Sequence, residues 1–109
     1  MSSYNYQMAS VSISETDKQK IIWNFMEELT ENYQNAKENN LPTNFNFLNF
    51  FNFGILSDGF SEKDKIAVIK RYAKDTGYIL IKGNKVTLTK KGLLEVDKPS
   101  HNWDTVIHS

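Results

Sequence analysis

The residues in this chain best suited to chemistry are its cations. Lys63, Lys70, Arg71 and Lys74 recur at helical spacing, Lys82 and Lys85 flank the pair Gly83-Asn84, and Lys90 and Lys91 follow. Side chains of this kind pair with anions, and a row of them one to two helical turns apart reaches several phosphates of a polyanion together. Arg71 is the only arginine, and it alone carries the planar fork that grips a guanine edge through two hydrogen bonds. Lysine ammoniums are point charges that position a protein on phosphates without reading base sequence. Weak to moderate sequence preference per subunit is the expectation.

The chain has 109 residues and a formal net charge of zero, with 13 basic and 13 acidic residues. Their distribution is uneven. Residues 1–60 hold three basic against seven acidic groups, whereas residues 61–92 hold nine against three. A neutral total thus covers a dipolar molecule, and such asymmetry bears on partners rather than on fold.

Other chemistry is missing. There is no cysteine, which excludes disulfides and thiolate metal sites and fits a reducing, cytoplasmic setting. No glycine-rich phosphate loop, histidine-glutamate metalloprotease helix or activated serine is present, so neither an enzyme nor a cofactor is expected. The two histidines, His101 and His108, lie in "DKPSHNWDTVIHS" with Asp104 between them, a spacing that matches no metal motif. No apolar run approaches the roughly 20 residues of a membrane span. The start, "MSSYNYQMASVSIS", lacks the basic and apolar regions of a signal peptide.

The elements that must position the cations can be read from periodicity. Ser14, with Asp17 three residues on, opens a helix over about 15–38 whose apolar stripe is Ile22, Phe25, Met26, Leu29, Tyr33 and Ala36. Its other face carries Asn24, Glu27, Glu28, Glu31 and Asn35, and its far end is free to pair with a second subunit. "PTNFNFLNFFNFGI" fits either alternation through Phe45 and Phe47 or a helical stripe through Phe47, Leu48, Phe51 and Ile55. A short helix over 44–53, capped by Thr43 and ended by Gly54, is the expectation. Its phenylalanines are read as core, with an exposed patch as the alternative.

Ser61 caps a further helix that turns Ile66, Ile69, Tyr72 and Ala73 inward and ends at Gly77. At 100° per residue, Lys63, Ala67, Lys70, Arg71 and Lys74 share about 100° of its opposite side. In "YILIKGNKVTLTKKG", glycine at the first position of a two-residue loop predicts a type II′ hairpin. That turn pairs Lys82 with Lys85, Ile81 with Val86, Leu80 with Thr87 and Ile79 with Leu88, placing the apolar pairs on one face. Thr89 then caps a last turn, "KKGLLEV", in which Leu93, Leu94 and Val96 close the core. The fold class is α+β and mostly helical: a tail over 1–13, one domain over 14–96, and a polar tail over 97–109 whose Trp103 folds back or anchors a partner.

Helix, short helix, turn, helix and then "GYILIKGNKVTLTKKG" resembles a winged-helix domain of the small archaeal and bacterial regulator type. The resemblance rests on Gly77 with Ile79 to Ile81, on Gly83-Asn84 and on "LTKKG", and covers residues 15–96. It implies that helix 61–76 enters the major groove of double-stranded DNA with Lys63, Ala67, Lys70, Arg71 and Lys74. Lys82, Asn84 and Lys85 would form the wing, with Lys90 and Lys91 beyond it. The implied role is transcriptional regulation, in a protein that dimerises through its first helix. The alternative is a winged-helix module for protein–protein assembly, favoured by the zero net charge, the acidic first helix and the aromatic segment.

Overall fold

The computed structural model describes residues 13–51 and 59–108. Among these the chain runs α1 (Glu15–Glu38), β1 (Phe45–Asn46), a 3-10 turn (Phe47–Phe51), α2 (Glu62–Thr76), β2 (Ile79–Lys82), β3 (Lys85–Leu88), α3 (Lys90–Val96) and α4 (Trp103–His108). The class is α+β, rich in helix, with one small antiparallel sheet in the order β1-β3-β2.

The long helix begins as its sequence requires. Ser14 accepts a hydrogen bond from the Asp17 amide at 3.1 Å, and Glu15 and Asp17 place negative charge at the positive end of the helix dipole. It ends at Asn39, with the Leu41 amide bonding back to the Ala36 carbonyl at 2.8 Å. Ile21, Phe25, Met26 and Leu29 are fully buried, while Ile22 and Tyr33 pack at the margin. The buried arc extends around to Thr30 because α1 is covered from two sides, by α2 and by α4.

The aromatic segment departs from the helix expected over 44–53. Phe45 and Asn46 form a strand on β3, opposite Val86 and Lys85, and only then does the chain coil into a 3-10 turn. Two bonds explain the change. The Thr43 carbonyl accepts from the Thr87 hydroxyl at 3.0 Å, and the Phe47 amide donates to the Asn84 carbonyl at 2.7 Å. Thr43 therefore serves the sheet, and Asn46 does the capping, accepting from the Leu48 amide at 3.1 Å. The helix end expected at Gly54 lies outside the described residues.

Phe47, Phe50 and Phe51 are core. Their rings surround Phe25, with centroids 5.7, 4.9 and 6.0 Å away. Aromatic pairs at such separations add about 0.5–1.5 kcal/mol each beyond the area they bury. Ile69, Ile79, Val86 and Leu88 complete this cluster from α2 and the hairpin. Leu94, expected to help close it, is 61% exposed, and Leu93 and Val96 do so instead.

The C-terminal residues belong to the packed unit. Trp103 is 1% exposed, and its indole N–H donates to the Thr30 hydroxyl at 2.8 Å across the core. Of the two readings open for it, folding back is the one observed. At the other end, Ile13, assigned to the tail, packs on the core as well.

Candidate nucleic-acid interface

Three short-range devices set the cationic elements. Ser61 starts α2 by accepting from the Asp64 amide at 3.1 Å, and Gly77 ends it in the left-handed conformation, φ 72°. Gly83 has φ 60° and Asn84 does not have positive φ, the signs that a type II′ turn requires. The register is the expected one in all four pairs, so Lys82 stands directly opposite Lys85. The third device is Thr89, whose hydroxyl accepts from the Gly92 amide at 3.1 Å and donates to the Gly77 carbonyl. One side chain thereby ties the end of α2 to the start of α3 and fixes the hairpin between them.

The positions expected to make contact, Lys63, Ala67, Lys70, Arg71, Lys74, Lys82, Asn84, Lys85, Lys90 and Lys91, are all exposed. They do not form one set. Lys70 and Lys74 line an open cleft together with Ala73 of α2 and Ile79, Leu80, Ile81 and Gly83 of the hairpin. The side of α2 that bears these two lysines therefore faces the wing. Lys82 and Lys85 project from the tip on the face shared with Leu80, opposite to the face through which Ile79, Ile81 and Val86 join the core. Leu80, in the floor of the cleft, is 53% exposed.

Arg71 lies elsewhere. It borders a second cleft, between α1 and α2, alongside Glu15, Lys18, Asp64 and Asp75. Its Nε sits 3.0 and 3.2 Å from the two carboxylate oxygens of Asp75, one turn along the same helix. The 100° arc expected from the sequence is real, but the helix is seated so that its two margins face different neighbours. Only the Lys70 margin looks to the wing.

Lys91 is already engaged. Its ammonium donates to the Thr76 carbonyl at 2.7 Å, at the negative end of the α2 dipole, and stands 4.8 Å from the centroid of the Tyr78 ring. Lys90 and Lys91 follow Thr89, at the opposite end of the hairpin from Gly83-Asn84, so they do not extend the tip. Lys65, counted in the basic segment, is fully buried on the inward side of α2, one turn before Ile69. The surface surplus of positive charge is smaller than composition implies.

The wing is held more firmly than a two-stranded ribbon. β1 pairs with β3 beside the tip, and the Asn84 carbonyl is anchored by the Phe47 amide. The helical period of the aromatic segment gives no hint of this support. Its signal in the sequence is the alternation of Phe45 and Phe47. The opposite edge of β2 has no strand beside it among the described residues.

The acidic side of the molecule is α1, where burial, with the Glu31 charge beside it, pushes the Glu28 carboxyl above its ordinary range. Trp103 covers α1 at Thr30, and beyond it, at the far end considered for a second subunit, Gln34, Asn35, Lys37 and Glu38 are exposed. Among the described residues no cluster of three or more histidine or acidic side chains could hold a metal ion, and no helix is long and apolar enough to cross a membrane. His101 faces Glu95 at 3.8 Å and His108 faces Asp104 at 3.3 Å, so the two histidines do not converge.

Comparison with protein-family models, with curated proteins and with solved structures finds no match to this chain.

Proposed function

We propose that this chain is a small duplex-DNA-binding protein of winged-helix plan, acting in transcription, with the Lys70–Lys74 side of α2 and the Lys82–Lys85 tip as its contact surface. One observation carries the reading: Lys70 and Lys74 share a cleft with Gly83, so the cationic side of α2 borders the hairpin tip that bears Lys82 and Lys85. Lys82 and Lys85 stand opposite each other at that tip, on the face turned away from the core. Like charges directly across a strand pair are unfavourable by a few tenths to about 1 kcal/mol, and a phosphate between them reverses the sign. Lys63 extends the α2 row towards its start, and Asn84 adds an amide at the tip.

The competing reading, a protein–protein module, draws on the zero net charge, the acidic first helix and the aromatic segment. The last of these does not supply an exposed aromatic surface among the described residues. Phe47, Phe50 and Phe51 are spent on the core, and among the described phenylalanines none forms an outward patch. Phe53 lies outside the described residues.

Fluorescence anisotropy with a labelled duplex at low salt tests the proposal. Binding that weakens steeply with salt, and that Lys70→Glu with Lys74→Glu abolishes, is the expected result. No binding at low ionic strength, or binding indifferent to the double substitution, would refute it.

A further inference from the structure

The cleft between α2 and β2 has a composition that a folded recognition surface for base edges would not need. Its walls are two lysines, its floor is Ala73 with the aliphatic edge of β2, and Leu80 lies open to solvent within it. A sugar–phosphate strand alternates apolar deoxyribose with a charged phosphate and matches both parts. The open edge of β2 adds donors. In a two-residue hairpin the Lys82–Lys85 and Leu80–Thr87 pairs are the hydrogen-bonded ones, which turns the Ile79 and Ile81 amides, along with their carbonyls, towards the unpaired edge. Backbone amides donate to phosphate without regard to sequence.

The one side chain able to read guanine bidentately is on the wrong side for this cleft. Arg71 is held through its Nε by both oxygens of Asp75 and borders the cleft against α1, where three carboxylates, Glu15, Asp64 and Asp75, outnumber the two cations Arg71 and Lys18. We infer that the α2–β2 cleft grips one sugar–phosphate strand of a duplex in a sequence-tolerant manner, with Arg71 outside the contact. This rests on the duplex-binding reading above and narrows it: a single copy chooses duplex over other partners, and does not choose among sequences.

The test measures affinity of the full chain for several unrelated mixed-sequence duplexes of equal length, across a range of salt. Dissociation constants should agree within about threefold, below the roughly five- to 150-fold that one good bidentate base contact supplies. Four lysines on four phosphates give a log–log salt slope of roughly −3.6, and Lys70→Ala with Lys74→Ala should make it shallower by about 1.8 for every duplex alike. Arg71→Ala should change affinity by less than about twofold, because it removes no contacted phosphate. A tenfold preference for one duplex, lost in Arg71→Ala, overturns this inference and leaves duplex binding standing. Binding to polyglutamate as tight as to duplex also overturns it, in favour of an acidic protein partner. Absence of duplex binding removes both readings together.

Discussion

Lys82 and Lys85 face each other across the β2–β3 ladder as the last pair before the turn, and neither enters an ion pair among the described residues. The arrangement opposes hairpin stability and favours an anion. Replacing Lys85 by Glu should therefore do two opposite things. The unliganded protein should gain a few tenths to about 1 kcal/mol, read from the urea midpoint, as repulsion becomes attraction. Duplex affinity should fall, read by anisotropy under the same buffer.

Lys91 offers the contrasting case. Its ammonium serves the Thr76 carbonyl and the Tyr78 ring, so Lys91→Ala should lower stability by roughly 0.5–1 kcal/mol. Its effect on duplex affinity should stay within about twofold, since it releases no phosphate contact. A large loss of binding with unchanged stability would place Lys91 in the interface.

Gly92 tests the junction between hairpin and α3. A β-carbon at this position would collide with the Tyr78 carbonyl oxygen, a backbone atom that cannot swing away. The Tyr78 carbonyl already accepts the Thr89 amide at 3.0 Å, which holds it in place. Gly92→Ala should cost about 1–3 kcal/mol, as overpacking does, despite alanine being the better helix former. Thr89→Ala, which removes the cap, should cost about 1 kcal/mol. Chemical denaturation of both variants measures the comparison.

Trp103 and Thr30 hold the C-terminal helix to α1. Trp103→Ala should cost about 3–5 kcal/mol, enough to remove much of the stability of a domain this size. Thr30→Val preserves shape but leaves the indole N–H unsatisfied, and should cost about 1–3 kcal/mol. If both variants unfold at the wild-type denaturant midpoint, the C-terminal helix is not part of the cooperative unit.

Tyr72 predicts behaviour at high pH. Burial, with the charges of Tyr78 and Glu95 nearby, raises its phenol well above the ordinary value of 10. A phenol kept neutral by folding contributes stability below pH 10, the value in the unfolded chain. That stability is lost as pH rises from there through the folded value. An absorbance titration of the five tyrosines should show one that ionises late, or only on alkaline unfolding. Tyr72→Phe should remove the late step and shift the alkaline transition upward.

Local chemistry is legible in the amino-acid sequence by itself. Helix ends follow from Ser14, Ser61, Thr89 and Gly77, because a cap is a bond between residues three or four apart. The hairpin register follows from a two-residue loop with alternating aliphatics, because period two leaves no other way to turn Ile79, Ile81, Val86 and Leu88 to the core together. Every choice that depends on a distant partner escapes such a reading. Phe45 becomes a strand because β3, far along the chain, offers it an open edge, and Trp103 becomes core because α1 offers Thr30. Above all, the arc shared by Lys70, Lys74 and Arg71 is a property of one helix, while its division between two clefts depends on how that helix is seated against α1 and β2. Spacing along a chain specifies which side chains share a face; only packing decides what that face looks upon.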